Sequence, residues 1–259
     1  WLIARLKEHW LLDVRGILGP PGTPGTVQEA RLLNRITSWD DRGITWESDP
    51  RHVDVILETT GVTNSVTTPL VKEKVDDVDS GESDEPLEKA AAEEYRSVAM
   101  RAGYLSQDRP DLQRAVRELA KGLQQPTQRH ATMLKRLARY LRSVPRLVQR
   151  FEYQHKLKTL TGWTDTDHAG CIRTRKSTSG GAVQAGKHTL LTYCRGQAVI
   201  ALASGEAEYY GLVSMASELL GLKSMFLDYG ILVGIEAYLD ATVGIAIGSR
   251  RGLGRVKHI

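Results

Sequence analysis

The sequence predicts an α/β protein: a C-terminal mixed sheet with flanking helices, preceded by a helical segment and a small α+β part. Three observations predict it. Short apolar runs separated by Gly and Pro fill the first third, apolar residues recur at helical spacing across 88–142, and from Leu157 the pattern runs βββ-α-β-α.

Taken in order, residues 10–14, 32–39 and 43–46 read as strands, with the Gly19-Pro-Pro-Gly-Thr-Pro-Gly25 loop among them. A helix is expected over 49–60, where Pro50 suits the first turn and Val53, Ile56 and Leu57 give one apolar face. Residues 72–89 are rich in Asp, Glu and Ser without apolar periodicity, the composition of an exposed linker. Helices are then expected over 88–107, over 110–124 with Asp108 as cap, and over 128–142. Leu112, Val116, Leu119 and Leu123 form the apolar stripe of the second, and Met133, Leu134, Leu137 and Leu141 that of the third. Residues 160–164, 180–185 and 189–194 read as strands, the last two a hairpin around 186–188, and 199–203 continues or leaves the sheet. A long helix over 205–229 with Ser204 as N-cap, a strand over 236–240 and a short helix over 242–249 complete the order.

The net charge of +4 hides an asymmetry. Residues 1–94 carry 10 Lys+Arg against 19 Asp+Glu, whereas 96–150 carry 13 against 3, so a polyanion suits the second stretch. Within it Lys135, Arg136, Arg139 and Arg142, with Arg114, Arg117 and Lys121, are expected to form a ridge along a phosphate backbone. No stretch approaches the ~20 apolar residues of a membrane span, no charged-then-apolar leader opens the chain, and two cysteines fit a reducing compartment. A soluble, unsecreted protein is expected. The chain opens at Trp1 without methionine and stops at Ile259, as a piece of a longer polypeptide would.

Three acidic residues each end an apolar run: Gly-Trp-Thr-Asp165, Ser204-Gly-Glu-Ala-Glu208 and Ala-Tyr-Leu-Asp240. Their order is strand end, helix start, strand end. Carboxylates so placed can converge on divalent cations, which stabilise the entering and leaving oxygens in phosphodiester hydrolysis.

Several ordered motifs extend this reading: Tyr95-Arg-Ser, Tyr104-Leu-Ser-Gln-Asp-Arg-Pro-Asp111, Pro126-Thr-x-x-His130, Leu134-Lys-Arg-Leu-Ala-Arg-Tyr-Leu141, Asp165-Thr-Asp-His-Ala-Gly170, Arg175-Lys-Ser-Thr-Ser-Gly180, Ser204-Gly-Glu-Ala-Glu-Tyr209 and Lys257-His258-Ile259. Together they resemble the Pol polyprotein of copia-type LTR retrotransposons. The resemblance implies a C-terminal reverse-transcriptase remnant over 1–70, an acidic linker over 71–89, a basic thumb or connection segment over 90–150, and an RNase H-like domain over 155–259, truncated at its C-terminus. It implies cleavage of the RNA strand of RNA·DNA hybrids, with Asp165, Glu208 and Asp240 holding two Mg²⁺ ions, Mn²⁺ as a substitute, and 5′-phosphate and 3′-hydroxyl products. The implied partners are that hybrid or other nucleic acid and the remainder of the polyprotein, in cytoplasmic particles or the nucleus, and no membrane.

Other residues are weighed against this trio. Asp167 shares a strand face with Asp165, whereas Glu206 and Glu208, about 200° apart on a helix, cannot both face one site. Arg175, Lys176 and Ser177, in a basic hydroxyl-rich turn with Arg173, suit a backbone phosphate. His168 stands where the family carries tryptophan; His130 and His188 read as structural or solvent-facing, and His258 as an aid to product release or incidental. Val75-Asp76-Asp77 lacks the apolar flanks of a polymerase aspartate pair, so no polymerisation is expected. A fourth acidic ligand is expected beyond Ile259. The competing readings are an inert nucleic-acid-binding fragment of a decayed element and a purely structural surface for a complete polymerase.

Overall fold

The structure, a computed structural model, describes residues 2–14, 16–71 and 85–240, and its contacts divide the chain into two units: Trp1–Asp49 with Val148–Tyr153, and Pro50–Leu147 with Gln154–Ile259. Most of the acidic linker, the Val75-Asp76-Asp77 triplet, the helix expected over 242–249 and the terminal Lys-His-Ile lie outside the described residues. Among those described, the chain is mixed α/β with six helices.

The first unit opens on a helix, α1 (Leu2–His9), that the sequence reading missed although helix formers fill it; 10–14, expected as a strand, carries none. Two short parallel strands, β1 (Ile17–Leu18) and β2 (Thr26–Val27), flank the Gly/Pro loop. Strands β3 (Glu29–Leu32), β4 (Arg35–Asp40), β5 (Gly43–Ser48) and β6 (Gln149–Glu152) form an antiparallel sheet in that order. Leu33 and Asn34, at φ 49° and 57°, make the tight two-residue turn between β3 and β4. Gly43 is fixed by a close approach, since a Cβ there would strike the Phe151 backbone of β6. The last strand thus arrives from a hundred residues away.

In the second unit, α2 (Arg51–Thr60), α3 (Lys89–Leu105), α4 (Gln113–Ala120) and α5 (Gln128–Ser143) share one core. Helix α2, which the sequence groups with the first seventy residues, packs here through Val53 and Ile56. Gly61 ends it in a left-handed conformation at φ 59°, donating its N–H to Leu57 O. The expected 110–124 helix starts instead as a 3₁₀ turn over Pro110–Leu112. Leu105, Leu112, Leu119, Leu137 and Leu141 are fully buried, each contributing about 1.5–3 kcal/mol. Val116, Leu123 and Met133 of the two stripes are partly buried against them. His130 is structural: Thr127 N–H donates to its Nδ1 at 3.2 Å in a capping box where histidine replaces the usual glutamate.

The remaining sheet comprises β7 (Thr159–Asp167), β8 (Thr178–Ala185), β9 (His188–Gly196) and β10 (Gly234–Tyr238), in the order β10-β7-β8-β9. The first three are antiparallel and β10 runs parallel to β7. Helix α6 (Ser204–Asp228) covers one face, Met215 and Leu219 pressing on Gly162, where a side chain would not fit. Residues 199–203 form no strand, and Val199, Ile200 and Leu202 are exposed. Helix α4 docks to the β7–β9 part, with Gln113 Nε2 donating to Thr192 O at 3.1 Å and Thr192 Oγ1 at 2.9 Å.

Candidate metal centre

Strand register builds the site. The last residue pair of β10 and β7 is Tyr238 with Trp163, so past Trp163 no described strand lies beside β7 on that edge. Asp165 lies two residues beyond this point on β7, and Asp240 two residues beyond the end of β10. Glu208, in the second turn of α6, enters the same notch. Each of the three offers a carboxylate oxygen, and these oxygens all lie within 4.8 Å of one another. That is close to the ~4.2 Å that opposite ligands of one Mg²⁺ span.

Electrostatics mark Glu208. It is only 4% exposed, whereas Asp165 and Asp240 are exposed. Burial pushes its carboxyl above the ordinary value, the charges of Asp165 and Asp240 push it further, and the Thr166 backbone N–H opposes them. Its Oε2 is buried with no hydrogen-bond partner among the described residues. An all-oxygen set of three acids, one of which buries an unmatched oxygen, fits a hard divalent cation.

The neighbouring acids are engaged elsewhere. Glu206 is buried with Oε2 accepting from Leu202 N–H at 2.8 Å and Oε1 accepting from the Tyr210 hydroxyl at 3.2 Å. It therefore secures the start of α6, a role expected of Ser204; the N-cap is Ala203, without a side-chain bond. Asp167 pairs with Arg114 at 3.0 Å.

The basic residues divide. Arg114, Arg117 and Lys121 do not extend a free ridge: all three pair with Glu118, and Arg114 also holds Asp167 across the joint with β7. On α5, Lys135 and Arg142 are exposed, whereas Arg136 and Arg139 are half-buried, Arg136 donating to Thr68 Oγ1 at 2.8 Å. In the turn after β7, Arg175 is exposed at φ 54° and Lys176 half-buried. Ser177 corrects the phosphate reading: it is fully buried, and its hydroxyl accepts from Ala169 N–H at 3.0 Å to close that turn. His168 Nε2 donates to Ala201 O at 3.3 Å, and His188 Nδ1 accepts from Gln154.

Sequence reading missed the polar layer beneath Glu208. Thr164, Thr166 and Ser179 are buried there, and Gly211 of α6 sits so close that a Cβ would lie 2.7 Å from Thr166 Oγ1. The hydroxyl-rich Ser177-Thr-Ser179 run was the available signal; Gln197, which completes the layer, gave none.

No family model matches the chain, and no solved structure matches it. Among curated proteins, it is 34% identical over 140 residues to the retrovirus-related Pol polyprotein from transposon RE2 of Arabidopsis thaliana, covering 53% of this chain and 9% of that protein. The corresponding polyprotein from transposon RE1 of the same plant is 32% identical over 138 residues, again 53% and 9%. An uncharacterized mitochondrial protein of Arabidopsis thaliana is 28% identical over 66% of this chain and 70% of its own length. The chain thus spans about a tenth of the polyproteins it matches, and its homologues are retrovirus-related Pol polyproteins of plant copia-type transposons.

Proposed function

We propose that the chain is the ribonuclease H part of such a polyprotein, joined to the C-terminal remnant of its reverse transcriptase, and that with Mg²⁺ it hydrolyses the RNA strand of RNA·DNA hybrids. The observation that carries this is the convergence of carboxylate oxygens of Asp165, Glu208 and Asp240 within 4.8 Å of one another, with Glu208 also burying an Oε2 that has no hydrogen-bond partner among the described residues. The sheet supports an RNase H-like fold for the same residues, with three antiparallel strands, a covering helix, and a fourth strand parallel to the first.

In this reading the three carboxylates hold the cation. When bound, Mg²⁺ supplies Lewis-acid polarisation of the phosphate and a nucleophilic water. Glu208, buried, fixes the inner wall of the site, and the exposed Asp165 and Asp240 leave the outer side open to a phosphodiester. Exposed Lys135, Arg142 and Arg175 supply backbone-phosphate contacts that position the duplex without reading sequence. The remainder of the polyprotein is the physical partner, and the setting is intracellular.

Cleavage of a labelled RNA·DNA hybrid by the full chain, followed on a gel, tests the proposal. Activity that requires Mg²⁺ and disappears in Asp165→Asn and Glu208→Gln is expected. Identical cleavage in wild type and variants would overturn it. Salt-sensitive binding without cleavage at any Mg²⁺ concentration assigns the chain instead to an inert nucleic-acid-binding fragment.

A further inference from the structure

Glu208 belongs to a helix whose first turns rest on hydroxyls rather than on apolar side chains. Thr166 Oγ1 lies 3.4 Å from Ser179 Oγ and donates to Ala207 O at 3.4 Å, while the Thr166 backbone N–H bonds the Glu208 carboxylate. Into this layer reaches Gln197, from the segment that follows β9. Its Nε2 donates to Ala207 O at 2.8 Å and to Ser179 Oγ at 2.9 Å, and its backbone N–H donates to Ser177 O at 2.9 Å. The two short bonds from one carboxamide tie α6, at the carbonyl immediately before Glu208, to strand β8. Gln197 Oε1 meanwhile is buried with no partner among the described residues. The side chain thus keeps its two donor bonds at the expense of its acceptor, an arrangement that fold stability alone does not favour.

We propose that Gln197 is a positioning residue for the acidic trio: its carboxamide clamps the Ala207–Glu208 peptide and so sets the direction in which the Glu208 carboxylate enters the site. This rests on the trio being a metal site. Neighbours that orient ligand side chains are worth about 10–100-fold in metal affinity, because a ligand released to wander must be re-ordered each time the ion binds. The hydrogen bonds of Gln197 go to Ser179, Ala207 and Ser177 rather than to any of the three carboxylates, so its effect runs through the placement of Glu208.

Mn²⁺ binding to the full 259-residue chain, titrated by electron paramagnetic resonance, tests this without any activity measurement. Gln197→Met keeps the length and removes both donors together with the unmatched acceptor. It should melt close to wild type without metal yet bind Mn²⁺ about 10–100-fold more weakly. In the hybrid-cleavage assay kcat should fall with KM for the hybrid unchanged, a split that a merely loosened fold would not give. Wild-type Mn²⁺ affinity in Gln197→Met, alongside lost binding in Glu208→Gln, overturns the inference and leaves the metal site standing. Unchanged binding in Glu208→Gln as well overturns both. Should the methionine variant fail to fold, Ser179→Ala removes one of the two bonds, and wild-type Mn²⁺ affinity there also overturns the clamp.

Discussion

The helical half of the second unit buries the charge of Arg109, and the sheet half, besides the well-bonded Glu206, buries that of Glu208. The Arg109 guanidinium grips Asp111 with two bonds, Nε to Oδ1 at 3.0 Å and Nη2 to Oδ2 at 2.7 Å, and donates to the carbonyls of Val144 at 2.9 Å and Pro145 at 3.3 Å. Tyr140 adds a hydroxyl to the same carboxylate at 2.9 Å. Charge is cancelled and hydrogen bonds are satisfied, so this cluster staples the 3₁₀ turn to the end of α5. Glu208 has one backbone N–H, two like charges and an unmatched oxygen. Burial with complete partners serves the fold, whereas burial among like charges is the pattern of a functional site and is in keeping with the proposed metal site.

The largest effect expected from this contrast is on turnover. Asp165→Asn or Glu208→Gln should lower hybrid cleavage by roughly 10³-fold, the equivalent of ~4 kcal/mol of transition-state stabilisation. In EDTA, Glu208→Gln should melt higher than wild type, since it removes a desolvated charge facing two others. A lower melting temperature would place Glu208 with Arg109 as a structural residue.

Arg109→Met should do the reverse, costing about 2–4 kcal/mol in urea unfolding by leaving the half-buried Asp111 without its cationic partner. Mn²⁺ affinity of the folded protein should not change. A loss under ~1 kcal/mol would mean the pair is not the staple that its bonds suggest.

These two clusters also differ in how readily the sequence discloses them. The leucine stripes of α4 and α5 are legible because a period of 3.6 is a local property, and Asp165, Glu208 and Asp240 are legible because each follows an apolar run. Strand β6 is not, because Gln-Arg-Phe-Glu has no pattern of its own and is a strand only beside β5, a hundred residues earlier. The same limit applies to Arg114 and Ser177. Both read as exposed phosphate contacts, but Asp167, brought near by the fold, pairs with the part-exposed Arg114, and the Ala169 amide bonds the buried Ser177 hydroxyl. Asp108 was expected to cap the second helix, yet the chain makes a 3₁₀ turn there, with the Arg109–Asp111 pair beside it. Local pattern discloses elements and their acids; which polar groups pair across elements depends on packing.

Two glycines sharpen the comparison at a smaller scale. In α3, a Cβ on Gly103 meets nothing nearer than Val116 Cγ1 at 4.0 Å, so Gly103→Ala should stabilise by about 0.5–1 kcal/mol through backbone entropy. In α6, a Cβ on Gly211 would lie 2.7 Å from Thr166 Oγ1 and 3.3 Å from Thr164 Oγ1, and Gly211→Ala should destabilise by about 1–3 kcal/mol. Opposite signs in thermal melts are expected. Equal stabilisation would show that α6 is free to lift off its hydroxyl layer, contrary to the tight placement that Glu208 requires.

The finest test is one of sign, because the half-buried carboxyl of Asp111 and the buried one of Glu208 are shifted in opposite directions. Burial pushes Asp111 upward, but the Arg109 guanidinium and the Tyr140 hydroxyl outweigh it, and the group titrates below its ordinary 3.8. A lowered carboxyl contributes stability that is present above 3.8 and lost as pH falls through its folded value. Glu208 is raised above its ordinary 4.5, so its contribution is fully present below 4.5 and is lost as pH rises through the higher folded value. Urea unfolding in EDTA should therefore show the wild type gaining on Glu208→Gln as the solution is acidified from neutrality toward 4.5. The advantage of wild type over Asp111→Asn should persist down to about 3.8 and be lost only as pH falls further, through the lowered folded value. Saturating Mg²⁺ should abolish the first trend and leave the second, because a cation would supply the partner that Glu208 lacks and Arg109 already gives to Asp111.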